Sequence, residues 1–159
     1  MKKGISIWSF GSMCIKDVFE MAAQAGFEGV ELSLDQTGEI GMDFTPEKAE
    51  KIKELAKKYG LEIYGLASGL YWSNSLTSDD AAERKRAFGI AEFQLKAAAW
   101  LGAETILLIP GAVGVDFVPG FAVVDYETAY NRALEAVQKL STIAQEQGVC
   151  IGIENVWIH

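Results

Sequence analysis

The sequence is poor in the residue types that build metal clusters and disulfide frameworks. Among 159 residues there are two cysteines and one histidine, His159, so the chain contains no histidine cluster. Cys14 and Cys150 lie far apart and match no metal-binding or redox spacing. Because both stand among apolar residues, we expect two buried free thiols, which favours a reducing, cytoplasmic location.

Long hydrophobic runs and an excess of basic residues are also missing. No apolar segment approaches the ~20 residues of a membrane-spanning helix. Polar residues such as Ser6 and Ser9 interrupt the stretch after the basic N-terminus, which excludes a signal-peptide core. The net charge of −8 disfavours nucleic acid and anionic membranes, both of which attract basic surfaces. We therefore expect no nucleic-acid partner and no membrane partner.

Short apolar runs with β character alternate with longer runs of helical periodicity along the whole chain. The predicted strands are 4–8, 27–34, 61–67, 103–109 and a fifth within 148–159, and the predicted helices begin near Ser12, Thr45, Ser78 and Asp125. A glycine stands at each of four junctions from helix to strand, where a left-handed residue ends the helix. Repeated strand–helix units predict a parallel α/β sheet.

The residue pattern within the strands distinguishes a barrel from an open sheet. In the second strand Val30, Leu32 and Leu34 alternate with Gly29, Glu31 and Ser33, whereas a strand covered by helices on both faces is apolar throughout. This alternation favours a (β/α)8 TIM barrel. Five strands do not close a barrel, so we expect residues 1–159 to be the N-terminal portion of one barrel domain. A five-stranded flavodoxin-like sheet is the alternative.

Two carboxylates are the main candidates for chemistry. Glu154 falls near the end of the fifth strand with inward parity, where it could ligate a metal, act as an acid or base, or be a satisfied structural residue. Glu31 shares the inward parity, and a buried carboxylate needs a partner or a purpose. A structural polar group inside the barrel is an equal alternative for Glu31.

Aromatic and polar residues on two loops suggest a small-molecule pocket. The loop 68–77 carries Ser68, Trp72 and Asn74, and the loop 110–124 is rich in apolar residues. Such loops over a barrel mouth either wall a ligand pocket or form an oligomer interface. Trp8, at the end of the first strand, either stacks on a sugar or packs in the core. We assign Trp8, Glu31, Ser68, Trp72 and Asn74 to substrate binding and expect a homo-oligomer.

The order and spacing of four segments give the chain a family resemblance. They are 27–34 (FEGVELSL), 75–84 (SLTSDDAAER), 109–113 (IPGAV) and 151–155 (IGIEN). With these segments the chain resembles the N-terminal part of the sugar phosphate isomerase/epimerase family of xylose isomerase-like TIM barrels, especially its ketose 3-epimerases.

The resemblance implies a metal-dependent isomerase or epimerase that acts on a ketose sugar or sugar phosphate by proton transfer through an enediolate. The metal would be Mn²⁺, with Mg²⁺ or Co²⁺ as alternatives. Glu154 matches the first metal ligand and one of two proton-carrying glutamates. The later Asp, His and Glu ligands have no counterpart here, and His159 does not replace them. The alternatives are a catalytically silent half-barrel that oligomerises or, less favoured, a metal-dependent abasic-site endonuclease.

Overall fold

Five parallel strands form one sheet in the computed structural model, which describes residues 2–115, 120 and 122–155. The strands are β1 Gly4–Ser6, β2 Gly29–Leu34, β3 Glu62–Ser68, β4 Thr105–Leu108 and β5 Cys150–Ile153. The α-helices are α1 Ile15–Gln24, α2 Pro46–Lys58, α3 Ala81–Leu101 and α4 Tyr126–Gln147, and two short 3-10 helices are Ile7–Phe10 and Gly69–Trp72. None of the helices in the described ranges is long and apolar enough to cross a bilayer.

The strands pair in the order in which they occur in the chain, β1-β2-β3-β4-β5. Consecutive pairing is the arrangement of a βα barrel, in which each new strand is added beside the last. A flavodoxin-like sheet has the order 2-1-3-4-5, because β2 is added on one side of β1 and the later strands are added on the other side. The structure therefore confirms the partial barrel and contradicts the flavodoxin-like alternative.

Local signals at the helix ends account for most of the boundaries. The Thr45 hydroxyl accepts a hydrogen bond from the Lys48 backbone N–H at 3.4 Å, and Pro46 is the first helical residue, as predicted. Asp125 caps α4 in the same way through the N–H of Thr128 at 3.1 Å. At the four helix-to-strand junctions the glycines Gly26, Gly60, Gly102 and Gly148 all have positive φ, between 66° and 78°.

One predicted helix start and one predicted strand end are wrong. Cys14, not Ser12, is the N-cap of α1, and the first N–H of that helix is bound by the Glu39 carboxylate. The predicted start of α3 near Ser78 is confirmed, with Asp80 as its N-cap. The first strand ends at Ser6 instead of Trp8, because the chain turns into a 3-10 helix beyond the last residue that pairs with β2.

The predictions of burial are wrong for residues whose surroundings are set by tertiary packing and not by their neighbours in the sequence. Both cysteines are exposed, although buried thiols were expected: Cys14 caps a surface helix, and Cys150 lies on a face of β5 that the described residues leave uncovered. Trp8 is 49% exposed, so the core alternative for this residue is wrong.

The main core lies between the sheet and the helices. Val30, Leu32 and Leu34 are fully buried, as the alternation in β2 predicts, whereas Glu31 between them is half-buried. The inner face is built of small residues near its N-terminal end. There the ring of Tyr64 covers Gly29 so closely that a Cβ on Gly29 would lie 2.5 Å from the ring carbons. A register shift between β2 and β3 accompanies this arrangement.

Candidate active site at the carboxyl ends of the strands

Parallel pairing brings the carboxyl ends of all five strands to one edge of the sheet. In βα barrels this edge, with the loops that follow it, carries the chemistry. The residues assigned above to the site follow the ends of β1, β3 and β5 or lie on β2. The edge therefore collects side chains that are distant in sequence.

Glu154 directly follows β5 and keeps the ladder with β4. Its backbone N–H donates to the Leu108 carbonyl at 3.0 Å, and the residue is half-buried. Its parity is that of Cys150 and Gly152, the residues facing away from the helix-covered side. Across residues 2–115, 120 and 122–155 the carboxylate makes no hydrogen bond or ion pair. A half-buried carboxylate without such a partner is available to contact a ligand.

Glu31 lies on the inner face of β2, opposite Ser6 in the register of β1. Its side chain crosses towards β3, because both its Cγ and its Oε2 lie 3.8 Å from the point where a Cβ of Gly65 would be. Because Gly65 has no side chain, the Glu31 carboxylate can occupy the space beside it. Within the described part of the chain Glu31 has no hydrogen-bonding or ionic partner.

Ser68 and Asn74 hold the turn after β3 in place. The buried Ser68 hydroxyl donates to the Leu34 carbonyl at 2.8 Å and accepts from the Leu70 N–H at 3.3 Å, which joins the ends of β2 and β3. The Asn74 amide donates to the Leu70 carbonyl at 3.1 Å. Trp72, in the same turn, is half-buried and packs on the core. Substrate contact by these three residues stays a prediction.

A buried hydrogen-bond network beneath the site involves Gln94 of α3, which the sequence analysis missed. Its amide donates to the carbonyls of Leu66 at 2.7 Å and Leu107 at 3.2 Å, and its Oε1 accepts from the Tyr71 hydroxyl at 2.6 Å. Burial raises the pKa of Tyr71 well above its ordinary value. The only signal in the sequence was a polar residue on the apolar face of a helix.

The loops after β3 and β4 are clamped together by Thr77. Its hydroxyl donates to the Ala112 carbonyl at 2.7 Å and accepts from the Ala112 N–H at 3.0 Å. Gly111 has φ +130°, and a Cβ there would overlap the Thr77 side chain. Arg132 of α4 donates to the Thr77 carbonyl at 2.9 Å and pairs with Asp79 at 2.7 Å. The apolar residues Phe117 and Phe121 of the second loop, like His159, lie outside the described residues.

A cavity of about 210 Å³ opens beside this edge, between the 3-10 helix after β1 and the loop after β2. Trp8 and Ser33 line it, with the carboxylates Asp35 and Glu39. Ser33 is one of the small polar residues that alternate with the apolar residues of β2. Its hydroxyl is buried and has no hydrogen-bond partner among the described residues. That property depends on tertiary packing and leaves no signal in the sequence.

The described residues do not by themselves form a metal site. Among them no group of three or more His, Cys, Asp or Glu side chains is placed to hold an ion, whereas divalent cations such as Mg²⁺ and Mn²⁺ take about six ligands. Glu154 offers one carboxylate. Any further ligands would have to come from residues other than those described.

Comparison with known proteins agrees with the architecture. The family model described as xylose isomerase-like TIM barrel matches residues 19–159. A D-psicose 3-epimerase crystallised in the presence of D-fructose superposes with a TM-score of 0.78 at 23% identity, covering 96% of this chain and 52% of that one. A search of curated proteins found no match.

Two further solved structures show the same fold. A D-psicose 3-epimerase with D-tagatose from Clostridium cellulolyticum H10 has a TM-score of 0.75 at 20% identity over 95% of this chain and 51% of that one. The 3-keto-D-glucoside 4-epimerase YcjR from E. coli has a TM-score of 0.73 at 19% identity over 98% and 56%. The chain thus spans about half the length of these proteins. The match to the family model and the consecutive parallel strands show that the chain belongs to the xylose isomerase-like TIM barrel family.

Proposed function

We propose that the chain carries part of the active site of a sugar isomerase or epimerase that acts on a ketose or ketose phosphate. The observation that supports this most directly is Glu154, a half-buried carboxylate at the carboxyl end of β5 that has no hydrogen-bonding or ionic partner among the described residues. The resemblance of the fold to epimerases that act on D-psicose and 3-keto-D-glucosides points to the same class of chemistry.

Glu154 is proposed to move the proton of the reaction. Its carboxylate takes a proton from the carbon next to the ketose carbonyl. The electron pair of the broken C–H bond forms a carbon–carbon double bond while the π electrons of the carbonyl move onto its oxygen, which gives an enediolate. A second acid, the other proton-carrying glutamate that the resemblance implies, returns a proton to the opposite face of that carbon and gives the epimer. A general base of this kind contributes about 10²–10⁴-fold to the rate.

We also expect the complete site to bind a divalent cation. Manganese is the first choice and magnesium or cobalt the alternatives, with Glu154 as one oxygen ligand. No step is assigned to the ion, because the described residues do not build its site. A homo-oligomeric state and a cytoplasmic location are likewise proposed.

A second candidate is a catalytically silent half-barrel that associates with another copy or with a complementary fragment. It is favoured by the outer side of β5, where Ile153 is 55% exposed and Ile151 only half-buried. β5 is an edge strand in the described part of the sheet, and an edge strand with exposed apolar residues is prone to pair with another chain. An abasic-site endonuclease is disfavoured by the net charge of −8.

Turnover and metal binding by the same chain separate the two candidates. The 159-residue chain is incubated with Mn²⁺ and with D-fructose, D-tagatose or D-ribulose, and epimerised products are quantified. Under the proposal, Glu154→Gln lowers the rate by about 100-fold or more, whereas Glu146→Gln, an exposed residue of α4, leaves it unchanged. Equal rates for wild type and Glu154→Gln would contradict the role of Glu154.

Calorimetric titration with Mn²⁺ tests the second candidate. Tight, stoichiometric binding by the chain alone would exclude a silent half-barrel. No binding and no turnover, together with concentration-dependent association in sedimentation experiments, would support it over the enzyme.

A further inference from the structure

A second cavity, of about 300 Å³, lies between helices α3 and α4 and is called the α3–α4 cavity below. Among the described residues that line it, four are basic, two from each helix: Arg84, Lys85, Arg132 and Lys139. The same lining contains one acidic residue, Glu135. Basic side chains therefore outnumber acidic ones here, in a chain whose net charge is −8. Such a local excess of cations creates a positive potential that attracts anions.

The two arginines are held side by side by the segment that precedes α3. Nη1 of Arg84 donates to the Ser78 carbonyl at 2.7 Å, and Nη1 of Arg132 donates to the same carbonyl at 3.2 Å. Arg132 is the more firmly fixed of the two, because its side chain is 27% exposed and also pairs with Asp79 at 2.7 Å. Side chains that are already ordered lose less entropy when a ligand binds.

Most of the donors on these side chains remain available. Within the described part of the chain both arginines form hydrogen bonds through Nη1 only, so Nε and Nη2 of Arg84 and Arg132 have no partner there. Lys85 is exposed and makes no hydrogen bond or ion pair with any described residue. Guanidinium donors match the geometry of phosphate oxygens, and an ammonium group adds a point charge.

Two carboxylates offset part of this charge. Asp79 pairs with Arg132, and Oε1 of Glu135 accepts a hydrogen bond from Nζ of Lys139 at 2.6 Å. The hydrogen bond and charge of Lys139, with the charge of Arg84, hold the pKa of Glu135 below its ordinary value. Both partners of the Glu135–Lys139 pair are exposed, so the pair is weak and an incoming anion can displace the carboxylate.

The size and remaining walls of the α3–α4 cavity suit a small molecule with phosphoryl groups. Leu76 and Phe88 add apolar surface to the charged lining, and ligand sites combine the two in volumes from about 300 Å³ upwards. A phosphoryl group carries a charge of about −1.5 to −2 near neutral pH. One or two such groups balance the excess of basic residues, whereas a single carboxylate leaves most of it unbalanced.

We propose that the α3–α4 cavity binds a small molecule that carries one or two phosphoryl groups. Arg84 and Arg132 bind the phosphoryl oxygens, and Lys85 and Lys139 supply further positive charge. None of the residues assigned above to sugar binding or proton transfer lines this cavity. The site is therefore separate from the candidate active site and does not depend on the proposed function.

The test is a binding experiment with inorganic pyrophosphate as the probe, without metal and without sugar. The ¹⁵N-labelled 159-residue chain is titrated at low ionic strength while amide shifts are followed, and sodium acetate and sodium chloride at matched ionic strength serve as comparisons. Pyrophosphate is expected to cause saturable shifts at 84–88 and 132–139, and neither comparison salt is expected to do so. Added salt should weaken the binding because it screens the charges.

Two lysine variants test the charge of the lining. Lys85→Ala and Lys139→Ala should each weaken pyrophosphate binding about two- to fivefold, the usual effect of losing one exposed charge. Lys51→Ala is the matched control, because Lys51 is exposed on α2 and does not line the cavity. It should leave the affinity unchanged.

A variant of opposite sign tests the competition with the carboxylate. Glu135→Gln should strengthen pyrophosphate binding about two- to fivefold, because it releases Lys139 and removes the acidic group of the lining. Glu146→Gln removes the same charge from an exposed position of the same helix, outside the cavity. It should have little effect.

Four results would overturn the inference. They are the absence of saturable shifts with pyrophosphate, equal shifts with acetate, equal affinities of the cavity variants and their controls, and shifts spread over lysines elsewhere, which would indicate an adventitious ion only. Because the experiment contains neither sugar nor metal, its outcome is independent of whether the chain epimerises a ketose.

Discussion

The Tyr71 hydroxyl donates a hydrogen bond of 2.6 Å to Oε1 of Gln94, and both side chains are buried. Gln94 in turn satisfies two strand carbonyls, those of Leu66 and Leu107. The pair thus connects a helix, two strands and the turn after β3 at the edge where the candidate site lies. Loss of this pair would therefore lower the stability of the fold before it affects the chemistry of the site.

Replacement of Gln94 by leucine is expected to lower the free energy of unfolding by about 2–4 kcal/mol, because two carbonyls and one hydroxyl would each lose a hydrogen bond inside the protein. Urea denaturation followed by circular dichroism measures this change. Gln145→Leu, at an exposed position of α4, serves as the control and should have little effect. A loss below about 0.5 kcal/mol for Gln94→Leu would show that the network does not stabilise the fold.

Two glycine-to-alanine substitutions should have opposite effects on stability. A Cβ at Gly29 would lie 2.5 Å from the Tyr64 ring, so Gly29→Ala is expected to destabilise the protein by about 1–3 kcal/mol. Gly89 lies inside α3 with nothing within 4 Å of its Cβ position. There alanine should stabilise by about 0.5–1 kcal/mol. Melting temperatures of the two variants give the comparison. A Tm of Gly29→Ala equal to or above that of the wild type would contradict the packing of Tyr64, and a lower Tm of Gly89→Ala would contradict the open space at that position.

Stability should fall in alkaline solution because of Tyr71. Burial raises the pKa of this hydroxyl above its ordinary value near 10, so above pH 10 the unfolded chain releases a proton that the folded chain keeps. The contribution is fully present below pH 10 and is lost as the pH rises further. Urea unfolding at pH 9 and pH 11 measures the decline. Tyr71→Phe should reduce it and the exposed Tyr126→Phe should not; identical declines in all three proteins would contradict the assignment.

Both thiols should react with a disulfide reagent in the native protein, because Cys14 and Cys150 are exposed. Titration with Ellman's reagent is expected to detect two thiols without denaturant, and Cys14→Ser and Cys150→Ser should each remove one. If the thiols react only after unfolding, the exposed placement of these residues is wrong.

Features that depend on neighbouring residues in the sequence could be predicted from it, and features that depend on pairing could not. The cap at Thr45 and the helix-ending glycines are local, and the inward parity of Glu31 follows from alternation within one strand. The position of Tyr64 over Gly29 depends on the register of β2 with β3, including its shift. Ser33 has no hydrogen-bond partner among the described residues because of what packs around it. Gln94 is satisfied by carbonyls of β3 and β4, which are distant from it in sequence.

The cysteines show why sequence neighbours mislead about burial. In a strand, residues next to each other point to opposite faces, so the buried Val149 says nothing about Cys150. Cys14 precedes the buried Ile15 but lies at the helix cap, outside the packed face. The shared edge of the site was predictable from topology, whereas the contents of the cavity were not.

The two hydrogen bonds between Thr77 and Ala112 join two loops into one unit, although the two residues are 35 positions apart in sequence. A substitution at Thr77 releases the turn at Gly111, and a side chain at Gly111 displaces Thr77, so the two effects will not add. A substitution in either loop will therefore require compensation in the other, and the pair will vary as a unit.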